Sequence, residues 1–318
     1  MKPAHSFIDP IQTALAQQKS FILDGALATE LERRGANLND ALWSAKLLID
    51  QPELIRQVHF DYFVAGADVA TTASYQASFK TFQARGYSHE EAARLMRLSV
   101  TLALEARDAF WADPAHRAGR IKPLVAASVG PYGAMLADGS EYRGHYGLSR
   151  QALIDFHRPR MQVLVDAGAD LLACETLPCL DEALAIASLL PEFSGMAAWV
   201  SFSCRDGEHN SQGEKLADCV AMLDGVAQIV AVGVNCTAPG FIPSLIDQAR
   251  ASSTKPIVVY PNSGEQYDAV HKQWQGCSHA QDFAQQAQGW FARGARLIGG
   301  CCRTGPEDIR ALRQMVGS

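Results

Sequence analysis

Two cysteines stand side by side in the stretch RLIGGCCRTGPED (296–308), and a third closes the run IVAVGVNC (229–236). Thiolates are nucleophiles and soft metal ligands, so Cys236, Cys301 and Cys302 are the first candidates for chemistry. Three thiolates with a vacant fourth position make a zinc site of the catalytic kind, whereas a structural site is closed by a fourth protein ligand. Soft sulfur favours zinc over magnesium or manganese. Two carboxylates join them. Asp24 lies in FILDGA (21–26), and Glu175 ends the apolar run of DLLACET (170–176), where burial without a partner is costly. Bland readings stand beside these. A strand-end cysteine packs as a small hydrophobe, a vicinal pair can be a redox switch, a Gly-Gly turn can cradle phosphate, and Asp24 can cap the next helix.

Neighbouring residues on a strand point to opposite faces, so adjacent thiols need a device to reach one site. Gly299 and Gly300 supply it on this reading. Without Cβ they take backbone angles barred to other residues and turn both thiols inward.

The elements that must position these groups follow from periodicity. Apolar, β-branched runs at 21–26, 68–74, 123–130, 170–176, 197–203, 229–236, 256–262 and 296–302 alternate with amphipathic stretches. Helix candidates include 52–67, 88–110, 150–169 and 305–316. Gly-Ala steps at 65–68, 167–170 and 293–296 mark helix ends. Eight βα units without a Ser/Pro linker predict one (β/α)8 TIM barrel, a single domain over 1–318. An open doubly wound sheet is the alternative, but the first strand leads into DGALATE rather than GxGxxG. Barrel enzymes place their chemistry at the C-terminal strand ends. Gathered there are Asp24, Gly25, Thr72, Tyr75, Gln76, Ser128, Glu175, Cys236, Tyr260, Cys301 and Cys302. Three of these thiols belong to strands 6 and 8, a separation that the barrel mouth can span.

Composition sets the bounds. A chain of 318 residues, 48% hydrophobic and 19% charged, can bury a large core. A formal net charge of −6 and the lack of any Lys/Arg-rich run argue against nucleic acid. No apolar run approaches a membrane span, and the N-terminus lacks a signal-peptide core. A cytoplasmic location is expected, with the cysteines mostly reduced.

Taken together, the motifs resemble the homocysteine S-methyltransferases, zinc barrels that methylate homocysteine to methionine. The resemblance runs through LDGALATELE (23–32), DVATTASYQAS (68–78), SVGPYGAMLADGSEYRG (128–144), ADLLACETLP (169–178), VGVNC (232–236), VVYPNSGEQYDA (258–269) and GARLIGGCCRT (294–304). It implies Zn²⁺ held by Cys236, Cys301 and Cys302. It also implies that Asp24 and Glu175 hold the homocysteine amino group, with the backbone at Gly25 and the Thr72 position on its carboxylate. Trp43, Gln76 and the 131–149 loop fall to the donor side. The ADGSEYRG loop most resembles the stand-alone branch that uses S-methylmethionine, with S-adenosylmethionine as a second donor. Cobalamin-dependent relatives carry extra modules for which this chain leaves no length, so no cobalamin is expected. Betaine-using relatives carry an aromatic residue after the matching glutamate and a C-terminal extension. Here Thr176 follows Glu175 and the chain ends at MVGS, so betaine is not the expected donor. Two alternatives remain open: methylation of selenocysteine at the same site, and a non-enzymatic thiol redox or zinc-buffering protein.

Overall fold

Each apolar run becomes a strand, shorter than its hydrophobic stretch where the chain bends away into a rim loop. The computed structural model describes residues 7–38, 46–264, 266–268, 273–275 and 279–316. Its barrel strands are β1 (Phe21–Ile22), β2 (Val69–Thr71), β3 (Leu124–Val129), β4 (Leu171–Leu177), β5 (Ala197–Phe202), β6 (Ile229–Asn235), β7 (Ile257–Tyr260) and β8 (Ala295–Ile298). They form one parallel sheet in the order β1-β8-β7-β6-β5-β4-β3-β2. Helices follow the strands as the periodicity predicts, among them Pro52–Ala65, His89–Ala112, Arg150–Asp166 and Pro306–Val316. The three Gly-Ala steps hold left-handed glycines at Gly66 (φ 125°), Gly168 (φ 90°) and Gly294 (φ 114°), as a chain leaving a helix requires.

The β1–β2 seam is closed by aspartates. The Asp68 N–H donates to the Ile22 carbonyl at 2.7 Å, and the Asp68 carboxylate accepts the Ile22 N–H at 2.9 Å. One turn higher, Asp24 Oδ2 accepts the Thr71 N–H at 2.8 Å. Arg313 and Arg120 neutralise the fully buried Asp68, at 2.5 and 3.6 Å.

Two apolar layers result. Alternate strand residues fill the barrel, where small Ala126, Ala173, Ala197 and Ala231 leave room for Trp199 and Tyr260. The opposite faces pack against the helices. Helix Pro10–Leu15, capped by Asp9, adds Ile11 and Ala14 to the interior cluster. Among the described residues no helix is long and apolar enough to cross a membrane.

Candidate active site

The exit of β7 gathers the three thiols. The Cys236 N–H, just past β6, donates to the Tyr260 carbonyl at 3.1 Å. The Cys301 N–H donates to the Pro261 carbonyl at 2.7 Å, and the Cys302 carbonyl accepts from the Ser263 N–H at 3.0 Å. The three sulfurs lie within 4.8 Å of one another. Cys236 and Cys301 are joined as a disulfide, with Cα atoms 5.5 Å apart, while the free Cys302 Sγ sits 3.7 Å from Cys236 Sγ. The adjacent cysteines are thus not the bonded pair, which corrects a switch built on Cys301 with Cys302. Of the remaining thiols, Cys174, Cys179, Cys204 and Cys219 are buried and free, and Cys277 lies outside the described residues.

The glycines before the pair act differently from expectation. Neither Gly299 nor Gly300 has a positive φ. They are glycines because neighbours press on them: a Cβ would meet Leu23 Cβ at 2.5 Å from Gly299 and Thr304 Oγ1 at 2.3 Å from Gly300. The turning is done by residues with side chains. Since β8 ends at Ile298, strand alternation no longer governs 301 and 302. Arg303 is left-handed (φ 71°), and the Thr304 N–H and hydroxyl close the turn on the Cys301 carbonyl at 3.1 and 2.6 Å.

A cavity of about 400 Å³ opens over these sulfurs. It is lined by Cys236, Cys301 and Cys302 together with the expected Asp24, Gly25, Thr72, Gln76 and Glu175. Trp43 lies outside the described residues. Among the described residues that line it, none is Lys, Arg or His. Asp24 caps no helix, since the N-cap of helix Leu27–Arg33 is Ala26 and no side chain caps it. Its carboxylate instead accepts from the Thr71 N–H and hydroxyl. Burial pushes its pKa up to about 8 against those two donors. Glu175 accepts from the Ser128 hydroxyl and touches the Tyr260 hydroxyl, and burial raises it too.

Thr72 lines the cavity with its polar groups bonded to its neighbours. Its hydroxyl accepts the Ser128 N–H at 3.1 Å and pairs with Ser74 Oγ at 2.7 Å, while Ser74 Oγ donates to the Ser128 carbonyl at 2.7 Å. With the Ser74 proton so committed, the Thr72 proton goes to Ser74, and the ring closes. The Thr72 N–H is taken by Ala126 at 3.0 Å. In the ligand-free site both Thr72 donors are thus engaged, and Thr72 is joined to Ser128, whose hydroxyl donates to Glu175.

Other supports appear only in three dimensions. Asn235 Oδ1 accepts the Thr176 N–H at 2.7 Å, and its Nδ2 donates to Thr176 Oγ1 at 2.7 Å. This pins Thr176 in a left-handed conformation (φ 60°) directly after Glu175. Trp199 Nε1 donates to Tyr260 Oη at 3.0 Å, orienting the hydroxyl beside Glu175. The signal available for Ser128, Asn235 and Tyr260 is that each is polar and ends an apolar run.

The donor set suits a thiophilic ion. A tetrahedral ion with bonds of about 2.3 Å holds its sulfurs about 3.8 Å apart, close to the Cys302–Cys236 spacing of 3.7 Å. Reduction of the Cys236–Cys301 bond is required first, since thiolates are the ligands. Burial above all, with Glu141 and Glu32 adding to it, pushes the Cys302 thiol up to about 11, and a bound cation reverses that preference.

A (β/α)8 barrel with thiols and carboxylates gathered at its strand ends has the architecture of a barrel enzyme. A sequence model of the homocysteine S-methyltransferases matches residues 21–316, and the chain belongs to that family. It is 58% identical over 305 residues to homocysteine S-methyltransferase YbgG of Bacillus subtilis, covering 96% of this chain and 97% of that one. It is 47% identical over 308 residues to a selenocysteine Se-methyltransferase of Brassica oleracea, covering 93% and 89%. The metallated and oxidized crystal forms of the Escherichia coli homocysteine methyltransferase MmuM each superpose with a TM-score of 0.87 at 50% identity, over 96% of this chain and 99% of theirs.

Proposed function

We propose that this protein transfers a methyl group from a sulfonium donor, S-methylmethionine or S-adenosylmethionine, to the sulfur of homocysteine, forming methionine. One observation carries the reading: three cysteine sulfurs and two buried carboxylates meet in one cavity, with no basic side chain among its described lining residues. In the balanced step homocysteine gives up its thiol proton and gains an S–CH₃ bond. The donor loses its S⁺–CH₃ bond and departs as a neutral thioether.

Cys236, Cys301 and Cys302, once reduced, are the residues that would hold zinc. When bound, zinc keeps a substrate thiol deprotonated at neutral pH without a separate base. The remaining work belongs to the chain. Asp24 and Glu175 receive the homocysteine ammonium, and the backbone at Gly25 faces its carboxylate. Gln76 and the 131–149 segment flank the donor. Excess acidic charge in the cavity draws in the cationic sulfonium. Holding two sulfurs in line with the methyl between them is positioning of the kind that contributes roughly 7–11 kcal/mol. No step calls for cobalamin.

The test is methionine formation by reduced, zinc-loaded protein given homocysteine and each donor in turn. Turnover with either sulfonium supports the reading, and none with both overturns it. The selenocysteine methyltransferase among the relatives favours one second reading. A higher kcat/KM for selenocysteine than for homocysteine would make the selenol the preferred acceptor.

A further inference from the structure

The rim segment after β3 holds one carboxylate that the homocysteine side does not use. Its backbone is built to stay put. Gly133 lets the chain pass so close that a Cβ there would meet the Glu141 nitrogen at 2.5 Å. Asp138 Oδ1 accepts the Ser140 N–H at 2.9 Å, and Arg143 reaches Ser140 Oγ at 3.1 Å. From the end of β5, the Ser203 hydroxyl donates to the Glu141 carbonyl at 3.2 Å. Glu141 lines the cavity, and its Oε2 is enclosed with no hydrogen-bond partner among the described residues. Gln76 behaves alike. Its Nε2 donates to the Ala134 carbonyl at 3.2 Å, leaving Oε1 enclosed and without a partner in the same cavity.

Two enclosed acceptors, one of them anionic, are costly until a donor arrives. A sulfonium has no N–H or O–H to give them, but a primary ammonium has three. Asp24 and Glu175, which accept from Thr71, Ser128 and Tyr260, are assigned to the homocysteine ammonium. We propose that Glu141 and Gln76 form a second ammonium subsite, which takes the α-ammonium of the methyl donor. The enzyme thereby selects sulfonium amino acids over sulfonium compounds that lack an amino group. The inference rests on the methyl-transfer reading above and deepens it by naming the donor class.

The experiment compares two donors in reduced, zinc-loaded protein: S-methylmethionine and dimethylsulfonioacetate, (CH₃)₂S⁺CH₂COO⁻, which keeps the reactive centre and lacks the ammonium. Wild type should use S-methylmethionine with a kcat/KM roughly tenfold to a hundredfold higher. Glu141→Gln should lose most of that advantage. Its kcat/KM for S-methylmethionine falls by the same factor, while that for dimethylsulfonioacetate and the KM for homocysteine stay within about twofold. Gln76→Leu, which removes only the neutral acceptor, should show a smaller loss of the same selective kind. Equal use of the two donors by wild type overturns the inference. So does an equal fall for both donors in Glu141→Gln, which would assign the residue to the sulfonium or to loop structure. Absence of methionine with every sulfonium overturns the methyl-transfer reading and this inference with it.

Discussion

Asp24 separates a binding role from a structural one, because asparagine and alanine divide its two jobs. In the ligand-free barrel its carboxylate ties β1 to β2 through the Thr71 N–H at 2.8 Å and the Thr71 hydroxyl at 3.0 and 3.1 Å. Asparagine keeps that tie. Its oxygen accepts the N–H, and its amide donates to the Thr71 hydroxyl, which turns to accept. Asp24→Asn should therefore cost below about 1 kcal/mol of stability. Alanine strands the Thr71 N–H, a loss of about 1–3 kcal/mol. For ligand, the two substitutions are alike, since both remove the negative charge facing the ammonium. A charge-assisted hydrogen bond of about 1.5–3 kcal/mol corresponds to a rise in homocysteine KM of roughly tenfold to 150-fold. Steady-state kinetics on reduced protein with metal content measured in parallel checks this. An unchanged homocysteine KM in Asp24→Asn with zinc retained would refute the assignment.

The same residue predicts a pH dependence. Burial raises Asp24 to about 8 from 3.8, so between these values the folded protein holds a proton that the unfolded chain has lost. Its contribution to stability is full below about pH 4 and is lost as pH rises through about 8, at up to about 1.4 kcal/mol per pH unit. Glu175 is shifted the same way, so Asp24→Asn should flatten the slope of ligand-free unfolding free energy without abolishing it. An ammonium ligand needs the ionised carboxylate, so it must displace that proton. Methionine, which shares the α-amino group and has no thiol to titrate, should bind wild type more tightly at pH 8 than at pH 6. The gain should shrink in Asp24→Asn. Calorimetry at the two pH values reads it, and an undiminished gain would contradict the assignment.

Replacing Cys236, Cys301 or Cys302 singly by alanine should take metal content of the reduced protein from one zinc toward none, read by elemental analysis, with turnover lost in parallel. Asn235→Ala removes bonds of 2.7, 2.7 and 2.8 Å to Thr176 and Ser201 and frees the residue after Glu175. About 2–4 kcal/mol of stability should go with them, seen in denaturant unfolding, and kcat should fall with zinc still bound. His59 is fully buried with neither ring nitrogen partnered among the described residues, and burial lowers its pKa to about 4. Being depressed, it removes stability as pH falls from about 6.5 toward 4. His59→Phe should therefore move the midpoint of acid unfolding to lower pH.

The barrel is legible because its code is local. A run such as LVAASV or IVAVGVN reads as a buried parallel strand wherever it sits, and Gly66, Gly168 and Gly294 announce helix ends within a few residues. The thiol trio is legible for a related reason: Cys236 ends β6 and Cys301 and Cys302 leave β8, two neighbours of β7. How the trio closes is less so. Gly299 and Gly300 suggest conformational freedom, yet their need for no Cβ comes from Leu23 and Thr304 pressing on them, a contact that no spacing reveals. The partners of the carboxylates are hidden likewise. Thr71 meets Asp24 across 47 residues and Ser128 meets Glu175 across 47; closure of β1 against β2 makes the first pair neighbours, and the register of β3 on β4 makes the second. Thr72 is picked out in the sequence by resemblance alone, and the bonds from Thr71 to Asp24 across the β1–β2 seam cannot be read there.

That seam also explains where strain is kept. Thr176, Cys236 and Arg303 are left-handed with side chains present, at φ of 60°, 46° and 71°. Such a residue costs roughly 1–2 kcal/mol each. One follows Glu175, one is a thiol of the trio, and one follows the other two thiols. Each is held by a bond from a different element: Asn235 at the end of β6 to Thr176, the Tyr260 carbonyl at the end of β7 to Cys236, and Thr29 Oγ1 of helix Leu27–Arg33 to the Arg303 N–H at 3.1 Å. A strand that continued straight would carry these side chains on alternate faces, past the axis of the barrel. Breaking the strand sharply, without glycine, brings three sulfurs and a carboxylate to one side of the mouth. It also keeps there the β-carbons from which those groups hang. The strain is thus the local cost of convergence, and the hydrogen bonds from neighbouring strand ends and from helix Leu27–Arg33 offset it.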